Sequence, residues 1–317
     1  KLNHALEVED EEKDIAHIHS LLGWCYHQLE DYDKALEHYI QSKEGRDSAW
    51  INNEIGYCYK KKSDLKKALE FYLLAEKYDK NDMDLISEIA WLYCVSGEYK
   101  EGLKYIKRAV ELGRNDAWIN IQYGGCLAGL NRCEEAIEKL EYALSFDEEK
   151  DLAFAYSQLG WCYRLLGDYE KALGYHIKSQ EEGRNDAWIF EVRGAVLLDL
   201  KRYQEALDSF KNAYDLNNDG WYLYCMGRCL RGLERYEEAI EILLKSRQIS
   251  LAEEDVVDGE DFELAHCYIG IGDKENAQKY LDSARESITE RGAVNDTIKA
   301  KIKEIEKEIL SLDTLFN

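Results

Sequence analysis

The heptapeptide Gly113-Arg114-Asn115-Asp116-Ala117-Trp118-Ile119 returns unchanged at Gly183 to Ile189, and returns at Gly45 to Ile51 as Gly-Arg-Asp-Ser-Ala-Trp-Ile. A glycine suits the left-handed residue just past a helix end. An Asn, Asp or Ser suits the position before the next helix, where its side chain accepts a bond from an unpaired backbone N–H. Each copy therefore reads as a junction between two helices. The copies lie 68 and 70 residues apart, which makes the chain a repeat array. An array does not close on one core, so 317 residues imply one elongated domain here and not two globular ones.

Units begin near Ala16, Ala49, Met83, Ala117, Ala153, Ala187, Gly220 and Asp258, and most steps are 33 or 34 residues. A small residue stands eighth in each unit (Gly23, Gly56, Ala90, Gly124, Gly160, Gly194, Gly227, Ala265), where two helices must approach closely. A second follows twelve places later (Ala35, Ala68, Gly102, Ala136, Ala172, Ala206, Ala239, Ala277). An apolar residue, usually Tyr or Leu, recurs between them, as at Tyr26, Tyr59, Leu127 and Tyr163.

On these residues the chain resembles the tetratricopeptide repeat, whose 34-residue signature runs W-x2-L-G-x2-Y, then A-x3-F, then P. Leu22-Gly23-x2-Tyr26 with Ala35-x3-Tyr39, and Leu159-Gly160-x2-Tyr163 with Ala172, carry the match. The signature proline is replaced by residues such as Asp47, Lys80, Arg114 and Glu148, and the leading tryptophan is not at its family position. The resemblance implies an all-α, right-handed superhelical solenoid of helix-turn-helix units. It also implies that one face of each first helix lines a concave groove.

Composition agrees with helices: there is no proline, and no apolar run reaches the ~18 to 20 residues of a membrane helix. Six of the nine cysteines (Cys25, Cys58, Cys126, Cys162, Cys229, Cys267) share one phase of the repeat, which predicts buried structural thiols and not a disulfide or zinc framework. A reducing cytoplasm is the expected compartment. The formal net charge of −23 disfavours nucleic acid and anionic membranes as partners.

Residues 1–15 match the end of a repeat cut short, with Lys1-Leu2 and Ala5-Leu6 aligning on Lys139-Leu140 and Ala143-Leu144, and the first residue is not methionine. The natural protein is expected to continue N-terminally. Residues 16–292 form the array of about eight repeats. Within it, Ile249 to Glu260 is the least regular stretch, and its acidic residues predict a long solvated loop. Residues 293–317 carry Ile298, Ile302, Ile305, Ile309 and Leu312 at alternating spacings of four and three, the stripe of a capping helix. The same spacing would serve a homodimer.

All seven tryptophans stand second (Trp50, Trp118, Trp188, Trp221) or ninth (Trp24, Trp91, Trp161) in their units, two helical turns apart on one face of the first helix. The order predicts three neighbouring indole pairs, Trp24 with Trp50, Trp91 with Trp118 and Trp161 with Trp188. Tyr57, Phe154 and Tyr224 lengthen this stripe, at the same or adjoining phases. Inner positions also hold Lys60, Lys61, Arg164, Arg228 and Arg231 against Asp84, Glu191 and Asp199, so the wall is expected to be mildly basic in an acidic molecule. The inward Lys, Asn and Arg set by which some repeats of this family clamp a chaperone's C-terminal carboxylate is not assembled. Asn53, Glu54, Tyr57, Asp84, Ser87 and Glu88 stand at the comparable places.

No phosphate loop, HExxH or G-x-S-x-G sequence is present, and no two histidines form a helical i, i+4 pair with an acidic base between them. The expectation is a binding protein with no enzyme activity, cofactor or metal, taking a protein or extended peptide through indole anchors with Lys and Arg fixing orientation. Two other readings remain open. One is the peptide-sensing half of a regulator whose effector lies upstream, and the other is a scaffold that self-assembles through its last helix.

Overall fold

The structure is a computed structural model, and it describes residues 12–146, 151–253 and 255–315. Among these all regular structure is helical. The helices run in pairs: α1 Glu12–Gln28 with α2 Tyr32–Gly45, α3 Ala49–Lys61 with α4 Leu65–Glu76, α5 Met83–Val95 with α6 Tyr99–Glu111, and α7 Ala117–Gly129 with α8 Cys133–Leu144. They continue as α9 Leu152–Leu165 with α10 Tyr169–Glu181, α11 Ala187–Asp199 with α12 Tyr203–Leu216, α13 Gly220–Gly232 with α14 Tyr236–Ala252, and α15 Asp258–Gly270 with α16 Lys274–Glu290. The last helix, α17, spans Asp296–Leu315. Two compact units divide the chain, Lys1–Cys162 and Tyr163–Asn317. The cut repeat expected over residues 1–15 falls mostly outside the described residues.

One contact holds each pair together. The residue twenty-fourth in its unit is buried in all eight cases: Tyr39, Tyr72, Ile106, Leu140, His176, Phe210, Leu243 and Leu281. In five pairs it lies directly on the glycine of the first helix: Tyr39 on Gly23, Tyr72 on Gly56, Leu140 on Gly124, Phe210 on Gly194 and Leu243 on Gly227. A Cβ at Gly56 would sit 2.5 Å from the Tyr72 ring, closer than any side chain tolerates. The period seen in the sequence is thus the period of a large side chain resting on bare backbone.

The turns within pairs also repeat. Glu30, Ser63, Asn131, Lys201 and Glu234 adopt the left-handed conformation there, as do Gly97, Gly167 and Gly272 in the other three pairs. The second helix then opens on an aspartate that accepts from the N–H three residues on, at Asp31, Asp64, Asp168 and Asp273. In three other pairs it opens on an arginine paired with a glutamate three residues later, Arg132 with Glu135, Arg202 with Glu205 and Arg235 with Glu238, and α6 opens on Glu98 without a side-chain cap.

Two expectations are corrected. The acidic stretch before the last pair is a solvated loop only in part: α14 continues to Ala252 and α15 begins at Asp258, with Glu253 and Asp255 exposed between them. The acids on α15 point inward, since neighbouring helices supply partners: Asp261, fully buried, takes Arg247 Nε at 2.6 Å and the Ser283 hydroxyl at 2.7 Å. Glu260 accepts from Ser246 and Ser250 at 3.0 and 2.9 Å. The cysteines are also not all thiols, because Cys126 is joined to Cys94 in a disulfide. Gly102 makes room for it. A Cβ there would meet Cys94 Sγ at 2.6 Å and Cys126 Sγ at 3.1 Å, and Gly102 is the one unit's exception to an otherwise constant alanine. Seven cysteines remain free.

The stripe on α17 is spent within the chain. Ile305, Ile309 and Leu312 are buried, and Ile298 and Ile302 pack on the same cluster with Leu264, Leu281 and Ile288. The apolar face that would have served a coiled-coil dimer is therefore turned onto α15 and α16.

A candidate peptide-binding face on the first helices

The repeated heptapeptide builds a helix junction with a covered indole. Gly113 and Gly183 take φ of 104° and 98°. Asp116 and Asp186 then cap α7 and α11, accepting from Ile119 N at 2.7 Å and Ile189 N at 2.9 Å. The arginine between them bonds the capping aspartate at 2.9 Å through Nε in both copies. Its guanidinium lies over the indole four residues on, at 4.9 Å for Arg114 on Trp118 and 4.3 Å for Arg184 on Trp188. The third copy differs. Helix α2 runs through Gly45, Arg46 reaches His17 at 3.4 Å, and Trp50 packs edge-on against Tyr39 at 5.8 Å.

Every sequence-predicted site residue stands on a first helix: Trp24 on α1, Trp50, Tyr57 and Lys60 on α3, Trp91 on α5, Trp118 on α7, Phe154, Trp161 and Arg164 on α9, Trp188 on α11, and Trp221, Tyr224, Arg228 and Arg231 on α13. Their partners are not those expected. Within the first unit, neither Trp24 with Trp50 nor Trp91 with Trp118 comes into ring contact among the described residues. Nearby cations take the indole faces instead. Lys60 Nζ lies 4.8 Å from the Trp91 ring, as Arg114 lies over Trp118. Tyr57 stacks on His27 at 4.7 Å, and Trp161 packs on the core cluster that includes Cys162.

The basic wall is likewise mostly neutralised. The residues twelfth in their unit reach the acid sixth in the next: Lys60 to Glu88 at 2.6 Å and Arg231 to Glu263 at 2.6 Å, with the His27 ring hydrogen-bonded to Glu54 at 2.8 Å. Arg164 pairs with Asp199 at 2.8 Å. A half-buried cation left without a carboxylate would be costly, and the pairing removes that cost.

In the first unit these residues enclose an open cleft of about 340 Å³ between α3, α5 and α7, lined by Lys60, Asp84, Ser87, Glu88, Trp91, Arg114 and Trp118. Two cations and two carboxylates balance there. Arg114 Nη1 lies 3.2 Å from Asp84 Oδ1, yet the Asp84 side chain remains 94% exposed. The cleft offers two aromatic surfaces with donors and acceptors at their rims, which suits recognition of a polar backbone with an apolar side chain. Arg114 was missed by sequence reasoning, which assigned it to the junction. Its spacing of four from Trp118, repeated in Arg184 and Trp188, is the signal that could have found it.

In the second unit, α13 presents Trp221, Tyr224, Arg228 and Arg231 at spacings of three, four and three, so all four share one face. Trp221 is half exposed and its ring lies 5.2 Å from that of Tyr224. Arg228 stands over Tyr224 at 5.7 Å. Burial pushes the Tyr224 hydroxyl up to about 12, with Glu263 adding to the effect.

The tetratricopeptide repeat matches this chain at residues 18–48 and 155–187 in one form of the motif, and at 51–82 and 262–284 in another. The chain is a tetratricopeptide-repeat protein. Proteins built of this repeat act generally as protein-interaction scaffolds and are typically not enzymes. The chain is similar to the bovine (Bos taurus) BBSome complex member BBS4, at 26% identity over 129 residues, covering 41% of this chain and 24% of that protein's length. Among solved structures it resembles the APC/C hetero-tetramer Cut9-Hcn1, with a TM-score of 0.61, 15% identity, and 86% of this chain and 52% of that chain covered. It also resembles a tetratricopeptide repeat protein from Parabacteroides merdae, with a TM-score of 0.53, 16% identity, and 72% and 90% covered. At such identities the likeness is one of fold. No helix of this tetratricopeptide-repeat protein is long and apolar enough to cross a membrane, among the described residues.

Proposed function

We propose that this protein binds an extended peptide segment of a partner along the first-helix face, anchored in the cleft between α3, α5 and α7. The observation that carries the reading is the cleft itself, in which Trp91 and Trp118 stand on consecutive first helices beside an open volume and a balanced set of charges. An aromatic or aliphatic side chain of the partner enters between the indoles. Lys60 and Arg114 meet its backbone carbonyls, and Asp84 and Glu88 its N–H groups. The matched charges select against strongly charged segments at this place, because a net charge would leave one wall ion unpaired.

On this reading the eight repeats over residues 16–292 are one array closed by the C-terminal helix, and no chemistry is performed.

The test is a peptide-array screen followed by titration of the selected peptide, read by tryptophan emission. Trp91→Ala is expected to weaken binding by about 30-fold, the loss of one aromatic anchor of ~2 kcal/mol, with helical circular dichroism unchanged. Glu88→Gln is expected to weaken it less, through Lys60. Wild-type affinity in both variants would remove the cleft from the function.

A further inference from the structure

The second unit holds a group of cations that its own carboxylates do not match. Helix α17 exposes Lys299 and Lys303 to solvent but turns Lys301 inward, where Nζ stands 4.2 Å from the Phe262 ring on α15. On α13, Arg231 pairs with Glu263, the residue after Phe262, and Arg228 stands one turn before it over the Tyr224 ring. Burial holds the Lys301 ammonium below its usual range; Glu263 acts against this, while Arg231 and Arg228 add to it.

The neighbouring acids already have partners, one of them within the group itself. Glu263 takes Arg231 Nε at 2.6 Å, and its carboxylate is 8% exposed. Asp258 pairs with Arg291 at 3.1 Å, Asp261 with Arg247, and Glu260 with two serines. Glu308, partly exposed, lies 3.4 Å from His266, a ring whose pKa burial lowers, so this acid is not held by a cation. Among the described residues neither Arg228 nor Lys301 has a carboxylate partner, although the whole chain carries a net charge of −23. A half-buried lysine facing two arginines is unfavourable by itself, and in so acidic a chain a counter-ion would have been easy to supply.

We propose that Arg228, Arg231 and Lys301 receive a carboxylate side chain of a bound peptide, with Tyr224 and Phe262 as its aromatic flanks. The proposal deepens the reading that the first-helix face takes a peptide, and rests on it. It assigns an acidic residue to the segment that crosses α13 and α15, and it gives the terminal helix a part in recognition as well as in closing the core. Arg231 keeps Glu263 and orients the site. Arg228 and Lys301 supply the charge-assisted bonds to the incoming group. The acidic exterior does not prevent this, since charges beyond about 8 Å are screened at physiological salt.

The experiment measures fluorescence anisotropy of a labelled oligoglutamate on the full chain at about 0.15 M salt, with oligoglutamine as the neutral probe and inorganic phosphate as competitor. Oligoglutamate is expected to bind and oligoglutamine not. Lys301→Gln and Arg228→Gln should each weaken binding about tenfold, the loss of one charge-assisted bond, while Lys303→Gln on the exposed side of α17 leaves it unchanged. Circular dichroism verifies that each variant is folded. Absence of binding, equal binding in Lys301→Gln and Arg228→Gln, or displacement by phosphate at concentrations comparable to the peptide would overturn the proposal. Trp91→Ala separates the two ideas: it removes the array-selected peptide and keeps oligoglutamate. If oligoglutamate fails while the array peptide still depends on Trp91, only the acid receptor is refuted.

Discussion

His176 occupies the place that seven other repeats give to Tyr, Ile, Leu or Phe, and it is fully buried with neither ring nitrogen hydrogen-bonded. Burial pushes its pKa down to about 3, and Arg164 and Arg184 add to the shift. The folded pKa lies below the unfolded value of 6.5, so the unfolded chain binds the proton more readily. Stability is therefore complete above pH 6.5 and falls as pH drops toward 3, by about 1.4 kcal/mol for each unit. His176→Phe is expected to abolish that part of the acid loss and to raise the melting temperature at pH 5 more than at pH 8. Equal gains at both pH values would contradict the burial account. At this scale the sequence was readable in part. Glycine, aspartate and tryptophan in the heptapeptide announce a junction by local rules, and the structure keeps it. That Arg114 would lie on Trp118, and Lys60 on Trp91 with Glu88, depends on distances between side chains that spacing alone does not contain.

Helices are legible where the period is regular, and seven of the eight expected unit starts fall within a residue of a first helix. The failures lie where a neighbouring element overrides composition. The acids from Asp258 onward read as solvated until Arg247 on α14 and Ser283 on α16 are brought against them. Cys94 lies outside the cysteine phase of the repeat, and only α5 and α7 place it beside Cys126, across a Cα–Cα distance of 5.8 Å and 32 residues of chain. A bridge closing a loop of that length is worth about 3 to 4 kcal/mol by the chain-entropy model. Cys94→Ser should lower the denaturation midpoint accordingly, and a reducing agent should do the same to the wild type but not to the variant. If the variant and the wild type melt together under oxidising conditions, the two repeats are held without the bridge.

For the molecule as a whole, the repeat period, the helical class and the closing role of the last helix were all available from one sequence, because each follows from an interaction repeated many times. The charge of the first-helix face was not available. Whether a lysine or arginine is free or paired depends on what the next repeat places opposite it, and most inner cations proved to be paired. What remains open is one charge-balanced aromatic cleft in the first unit and one surplus of cations in the second. The central claim is that partners meet the first helices and not the second. Photo-crosslinking with an array-selected peptide carrying a benzophenone, followed by mass spectrometry, tests it most directly. The account expects the label on α3, α5 and α7, near Trp91 and Arg114. Label concentrated on the outward faces of α4, α6 and α8 would contradict it.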